Sequence, residues 1–135
     1  MKNTFLFTLI IQRTASKLSI CILGMAEFNE RKIKFKAWNL ETRLLMRLNS
    51  IDCSKGELFK KDHILLQFTG LLDKEGEEIY DMDILLVYSD KHLVFWNEDK
   101  GGWFFCPLEN RTDFHPFLSA SAQKMKRFCS YFELE

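Results

Sequence analysis

From Lys32 to Trp38 polar and apolar positions alternate, with Lys32, Lys34 and Lys36 on one side and Ile33, Phe35 and Ala37 on the other. A period of two marks a half-buried strand. Asn39 to Arg43 is polar and turn-like, and Leu44 to Leu48 reads as the returning strand of a first hairpin. A loop from Asn49 to Lys61 follows, in which Ser54-Lys55-Gly56 supplies a tight turn and admits a short hairpin. Ile64 to Thr69 is a short apolar run consistent with a buried strand, which Gly70 is expected to close.

Asp73-Lys74-Glu75-Gly76 combines an Asp that braces a turn through its side chain with a Gly that takes the positive φ after it. Glu78 to Asp83 then leads into Ile84 to Tyr88, a strand with Ile84, Leu86 and Tyr88 on one face and Leu85 and Val87 on the other. Ser89-Asp90-Lys91 is read as the next turn, His92 to Trp96 as the return, Asn97 to Gly102 as a polar turn, and Trp103 to Cys106 as an outgoing strand that Pro107 ends. Three strands on short turns make an antiparallel meander. Trp96 and Trp103 flank the second turn and are expected to stack across the hairpin as core residues.

The tail carries two patterns. Ser119 can cap a helix with apolar residues at Ala122, Met125, Phe128, Cys129 and Phe132, while Phe128, Ser130, Phe132 and Leu134 alternate as in a strand. The reading adopted is a short helical turn near 119–125, then a closing strand from about 127 to 133. Short antiparallel strands with aromatic cores curl to remove their edges. The expected fold class is therefore mainly β: a small antiparallel SH3-like barrel or strongly twisted sheet, with a short helical or irregular C-terminal segment.

At 135 residues the chain has room for one domain and no second independent core. Residues 1–24 do not share the rhythm of the rest. Their apolar runs, Phe5 to Ile11 and Leu18 to Leu23, are each too short to span a bilayer, and neither a signal-peptide cleavage site nor a lipoprotein motif is well formed. Three readings stand open: an over-long start with Met25 as the true beginning, an export or anchoring signal, or a native extra element. The division expected is a leader over 1–24 and a single β domain over 25–135.

Formal charge balances at 19 against 19, but residues 1–72 hold twelve Lys/Arg against six Asp/Glu and residues 73–135 hold seven against thirteen. A chain so divided is dipolar and does not suit DNA wrapping. The four cysteines, Cys21, Cys53, Cys106 and Cys129, form no C-x-x-C pair, which favours reduced core thiols in a cytoplasmic protein. No cofactor is implied. The acidic run Asp73, Glu75, Glu77, Glu78, Asp81, Asp83 invites a calcium loop, but Gly76 falls two positions too early for Asp73 to be a first ligand. The run reads instead as a solvated turn, with Asp83 accepting backbone hydrogen bonds at a strand start. His63, His92 and His115 each have a carboxylate close in sequence, and Cys106 with His115 is the one conceivable nucleophile and base. They read more simply as surface or loop histidines.

The basic stripe Lys32, Lys34, Lys36 is expected on an exposed face, with Arg43 and Arg47 across the hairpin and Trp38 behind it. Positive charge beside an aromatic holds single-stranded nucleic acid, though outward lysines also solubilise a sheet edge. The candidate partner-binding residues are Lys34, Lys36, Trp38, Arg43 and Arg47.

Two stretches resemble the YopX protein family of small phage and prophage proteins. Lys34-Phe35-Lys36-Ala37-Trp38-Asn39 with Glu41-Thr42 is similar to the family's K-F-R-A-W-D and K-E-T. Gln67-Phe68-Thr69-Gly70-Leu71, then Asp73 to Tyr80, then Asp83-Ile84, is similar to its Q-Y-T-G-L-x-D-K-N-G-K-E-I-Y-E-G-D-I-V. Gly70, Asp73, Gly76, Ile79, Tyr80 and Asp83 are the motif positions, and the resemblance covers about residues 32–106. Met82 stands where the family has Gly, so a positive φ there would cost about 1 kcal/mol or more. The family's I-G-N-I-Y is also missing, and Cys129-Ser130-Tyr131-Phe132 would have to take its place. The resemblance implies a mainly β fold and a phage-related origin, and no reaction, cofactor or catalytic residue.

The expectation is thus a cytoplasmic, phage-derived binding module without catalytic activity, with a protein partner or with a second copy through a sheet edge. The alternative is a nucleic-acid-binding small barrel using Lys32, Lys34 and Lys36. An uncharacterised enzyme is the remaining possibility.

Overall fold

A computed structural model describes residues 29–134. The chain divides into two units, 1–32 and 33–135, and the expectations for the leader lie outside the described residues. The second unit is mainly β, and every strand pair in it is antiparallel.

The first strands are β1 (Phe35–Asn39), β2 (Leu45–Arg47), β3 (Asp52–Ser54) and β4 (Glu57–Phe59). They are followed by β5 (His63–Leu72), β6 (Glu78–Tyr80), β7 (Asp83–Val87), β8 (Asp90–Asn97) and β9 (Gly102–Pro107). A short β10 (His115–Pro116), one helical turn α1 (Ser119–Ala122), β11 (Lys126–Ser130) and a 3-10 turn (Tyr131–Leu134) complete the described residues. One sheet has the order β2-β1-β5-β6, a second the order β10-β9-β8-β7-β11, and β3-β4 is a separate hairpin.

Local turn chemistry explains most of the connections. Asn39 Oδ1 accepts the backbone N–H groups of Glu41 and Thr42, which closes the β1–β2 turn. Asn97 does the same for Lys100 between β8 and β9. Lys55 and Gly56 both take positive φ, +53° and +83°, the requirement of a two-residue hairpin turn, so the hairpin expected inside the 49–61 loop is present.

Four elements depart from expectation. The closing strand expected to run to about 133 ends at Ser130, where Glu133 Oε1 accepts the Ser130 N–H and the 3-10 turn begins. Gly70 does not close β5; the strand runs on to Leu72 through a register irregularity against β6. Gly70 takes φ +89° within that irregularity, and the Thr69 hydroxyl braces it by donating to Ile79 O and accepting from Leu71 N. A bulge needs a local positive φ, and Gly supplies it without closing the strand. The β7–β8 turn is Tyr88-Ser89 rather than Ser89-Asp90-Lys91, because Val87 already pairs with Asp90. Ser119 opens α1 but does not cap it; the N-cap position is Leu118, with no side-chain cap.

Met82 adopts φ +65°, the positive value expected from the glycine that stands there in the pattern it resembles. Its backbone is fully engaged, with N donating to Val94 O and its own O accepting from Tyr131 N. Its side chain packs against Ile84, Leu93 and Cys106, a gain that glycine could not give and that offsets the strain.

The five-stranded sheet has a core on each face. Ile79, Leu85, Val94, Phe117, Ala122 and Met125 form one, and Ile84, Leu93 and Cys106 the other. Alternating side chains of β7 and β8 go to opposite faces, which is why the apolar run Ile84-Leu85 is buried throughout.

Candidate functional site

Two carboxylates of the acidic run, Asp73 and Asp83, are buried rather than solvated. Asp73 Oδ1 accepts the N–H groups of Glu75 and Glu77, each at 2.8 Å, and its Oδ2 accepts the N–H of Arg127 at 2.7 Å. Gly76 turns with φ +84° inside this loop. Burial works to raise the Asp73 carboxyl, but the three backbone donors outweigh it and hold it below its ordinary value. Asp83 accepts the Tyr80 N–H at 2.8 Å and the Arg127 guanidinium at 2.9 Å. Burial pushes the Asp83 carboxyl up, and Arg127 opposes that push. Arg127 thus ties two motif aspartates to β11, by its backbone to one and by its side chain to the other. Sequence reading missed Arg127, since nothing near it in the chain marks it. Ile79 and Tyr80 complete the motif as buried side chains.

Of the basic stripe Lys32 is exposed, while Lys34 and Lys36 are partly covered. Lys34 pairs with Glu78 and lies 5.2 Å from the centre of the Phe68 ring. Lys36 is half-buried, with its ammonium 4.5 Å from the centre of the Tyr80 ring. Burial, followed by the repulsion of Arg127, lowers its pKa. Burial and the neighbouring Glu78 push the Tyr80 hydroxyl up to about 12. Trp38, on the same face, is 5% exposed and stacks on Phe132 with ring centres 5.6 Å apart. Alternation showed which residues share a face; it could not show that Tyr80 and Phe132 cover that face.

The candidate residues divide between two depressions. Lys34, Lys36 and Arg47 line a cleft together with Glu77, Glu78 and Tyr80. Trp38 and Arg43 line another, of about 550 Å³, with Ile64, Arg111, Tyr131 and Phe132 among its other walls. Arg111 donates to the Tyr131 hydroxyl at 2.9 Å and lies over its ring. The second depression is an apolar, aromatic groove with guanidinium groups at its rim. Leu40 and Leu44 beside it are 53% and 60% exposed.

His63, His92 and His115 lie on β5, β8 and β10. His63 Nδ1 contacts Lys61 O at 2.7 Å, and His115 Nε2 lies 3.0 Å from Asp113 Oδ1. His115 is opposite Phe105 in register, so it shares the Phe105 face while the buried Cys106 points to the other. The Cys106–His115 pair therefore does not form. His92, expected at the surface, is half-buried on β8 with its ring edge toward Phe105. Trp96 and Trp103 do meet across the hairpin, 5.1 Å between ring centres. Trp96 is not a core residue, for it is 44% exposed, whereas Trp103 packs against the core of Ile79, Leu85 and Val94.

Among the described residues no group of three or more His, Cys, Asp or Glu is placed to hold a metal ion. None of their helices is long and apolar enough to cross a membrane. No curated protein matches the sequence. The chain is similar in fold to protein EF1440 from Enterococcus faecalis, known from a crystal structure. The TM-score is 0.54 at 21% identity, over 77% of this chain and 96% of that one. The sequence pattern of the YopX protein family matches residues 24–126, the span that holds the Asp73 and Asp83 motif and most of both sheets. The chain belongs to the YopX family.

Proposed function

We propose that the chain is a non-enzymatic binding module of phage origin that works in the bacterial cytoplasm and associates first with a second copy of itself. The observation that carries this reading is the β3–β4 hairpin. All six of its strand residues are exposed, including Leu58 at 44% and Phe59 at 49%, and among the described residues its strands pair only with each other. An isolated two-stranded hairpin is marginally stable in water at best, and a partner surface would relieve that.

The aromatic groove is a suitable partner surface. It is apolar within and basic at the rim, while one face of the hairpin offers Phe59 with Asp52 and Glu57, and Leu58 lies on the other. The hairpin leads directly into β5, whose Ile64 lines the groove. An arm that leaves the body beside the groove it would fill in another copy is what a two-fold exchange needs.

Family membership supports the phage origin, and the scattered free thiols of Cys53, Cys106 and Cys129 support a reducing compartment. The consecutive β7–β8–β9 meander supports the SH3-like reading. The placement of His115 and Cys106 on opposite faces supports the non-enzymatic one. Sedimentation equilibrium tests the association. The wild type should run as a dimer at micromolar concentration, and Phe59→Asp with Leu58→Ser as a folded monomer with unchanged circular dichroism. A monomeric wild type, or a dimer indifferent to both substitutions, overturns the proposal.

A further inference from the structure

Tyr88 is 97% exposed at the first central position of the β7–β8 turn, with φ +57°. The second central residue, Ser89, is not in the positive region, so this is the turn type that favours glycine at its first position. A bulky ring held here contributes no packing to the fold and strains the backbone. Its surroundings are basic. Lys74, Lys124 and Lys126 line, with Tyr88, Leu86 and Val87, a surface cleft of about 390 Å³. In the strand register Leu86 is opposite Lys126 on one side and Lys91 on the other, so these lysines share one face across three strands. Lys91 in turn lies 5.5 Å from the centre of the Phe128 ring, and Phe128 is 49% exposed. The acidic groups nearby are Glu75, which pairs with Lys126 at 3.1 Å, Asp73 and Glu77, which also act on Lys126, and Asp90 on the same hairpin.

Two exposed aromatic faces set among four lysines match the chemistry of a single nucleic-acid strand, which offers bases to stack and phosphates to neutralise. We infer that the Tyr88 end of the five-stranded sheet binds single-stranded nucleic acid, with a base on the Tyr88 ring and the backbone along Lys74, Lys124, Lys126 and Lys91. This surface is distinct from the basic stripe of β1, whose Lys34 and Lys36 are engaged within the fold. It is also independent of the proposed self-association.

Fluorescence anisotropy with the full chain and a labelled oligothymidylate is the test. The wild type should bind, with the logarithm of affinity falling by about 2 to 3 per decade of salt for three or four neutralised phosphates. Tyr88→Phe should bind as the wild type does, and Tyr88→Gly at least about fivefold more weakly. Because glycine relieves the turn, Tyr88→Gly should also melt higher, which separates loss of the ring from loss of the fold. Lys74→Glu with Lys124→Glu should abolish binding, and Lys100→Glu on the β8–β9 turn should not. Absence of binding at low salt, equal affinity in Tyr88→Gly, or equally tight binding of a heparin-like polyanion would each overturn the inference.

Discussion

Arg127 holds Asp83 with its guanidinium, Nε standing 2.9 Å from Oδ2, across a separation of 44 positions in the chain. Their side chains are only 11% and 2% exposed, and Asp83 contributes to keeping Arg127 charged against the cost of its own burial. A buried pair of this kind reveals its importance when one partner is removed, because the other is left charged without water. Arg127→Met should therefore cost about 3–5 kcal/mol in urea unfolding. Adding Asp83→Asn to that variant should cost less than it does in the wild type, since the carboxylate it removes is already unpaired. Strict additivity of the two substitutions would show that the pair is not coupled.

Asp73 is the second test of the motif. An amide at this position keeps one oxygen for Glu75 and Glu77 but turns an N–H₂ toward the Arg127 N–H that Asp73 Oδ2 now accepts. Asp73→Asn should cost about 1–3 kcal/mol, the penalty of an unmet buried donor. Because the folded carboxyl titrates below its ordinary 3.8, its contribution is present above that value and lost as pH falls through the depressed one. The wild type should lose melting temperature on that acid limb more steeply than Asp73→Asn does.

Asp81 behaves in the opposite sense. Burial raises its carboxyl to about 6, against backbone hydrogen bonds from Trp96 and Met82. The folded chain thus binds this proton more readily than the unfolded chain. The stabilisation is complete below the ordinary 3.8 and is lost as pH rises through about 6. Asp81→Asn should raise the melting temperature well above pH 6 and change it little near pH 4, by an amount on the order of 2–3 kcal/mol. A carbon-detected titration of the Asp81 carboxyl with a midpoint near 4 would contradict this.

What the sequence makes legible is what neighbouring residues decide. Asn39, Asp73 with Gly76, and Lys55-Gly56 announce their turns because the groups that close each turn lie within four positions. The alternation over β1 and the apolar run of β7 announce strands for the same reason. The β7–β8 turn was misplaced because Tyr88 is a residue that sterics argue against there. The site was less legible than the fold. Lys34 and Lys36 looked solvent-facing because period two assigns a face and says nothing of the second layer, here Glu78, Phe68 and Tyr80. Arg127 and the groove residues Arg111 and Tyr131 are joined to their partners only by the folded topology.

The attachment of β11 also fixes when the molecule can fold. Until segment 126–134 has been synthesised, β7 has an open edge, Asp83 has no counter-charge and Trp38 has no Phe132 to stack on. A nascent chain that has already emitted β1 to β10 would still carry unneutralised acid in its interior, so native structure should form in one step, once segment 126–134 has emerged. Ribosome-bound chains halted before residue 126 would then be the form exposed to proteases and chaperones.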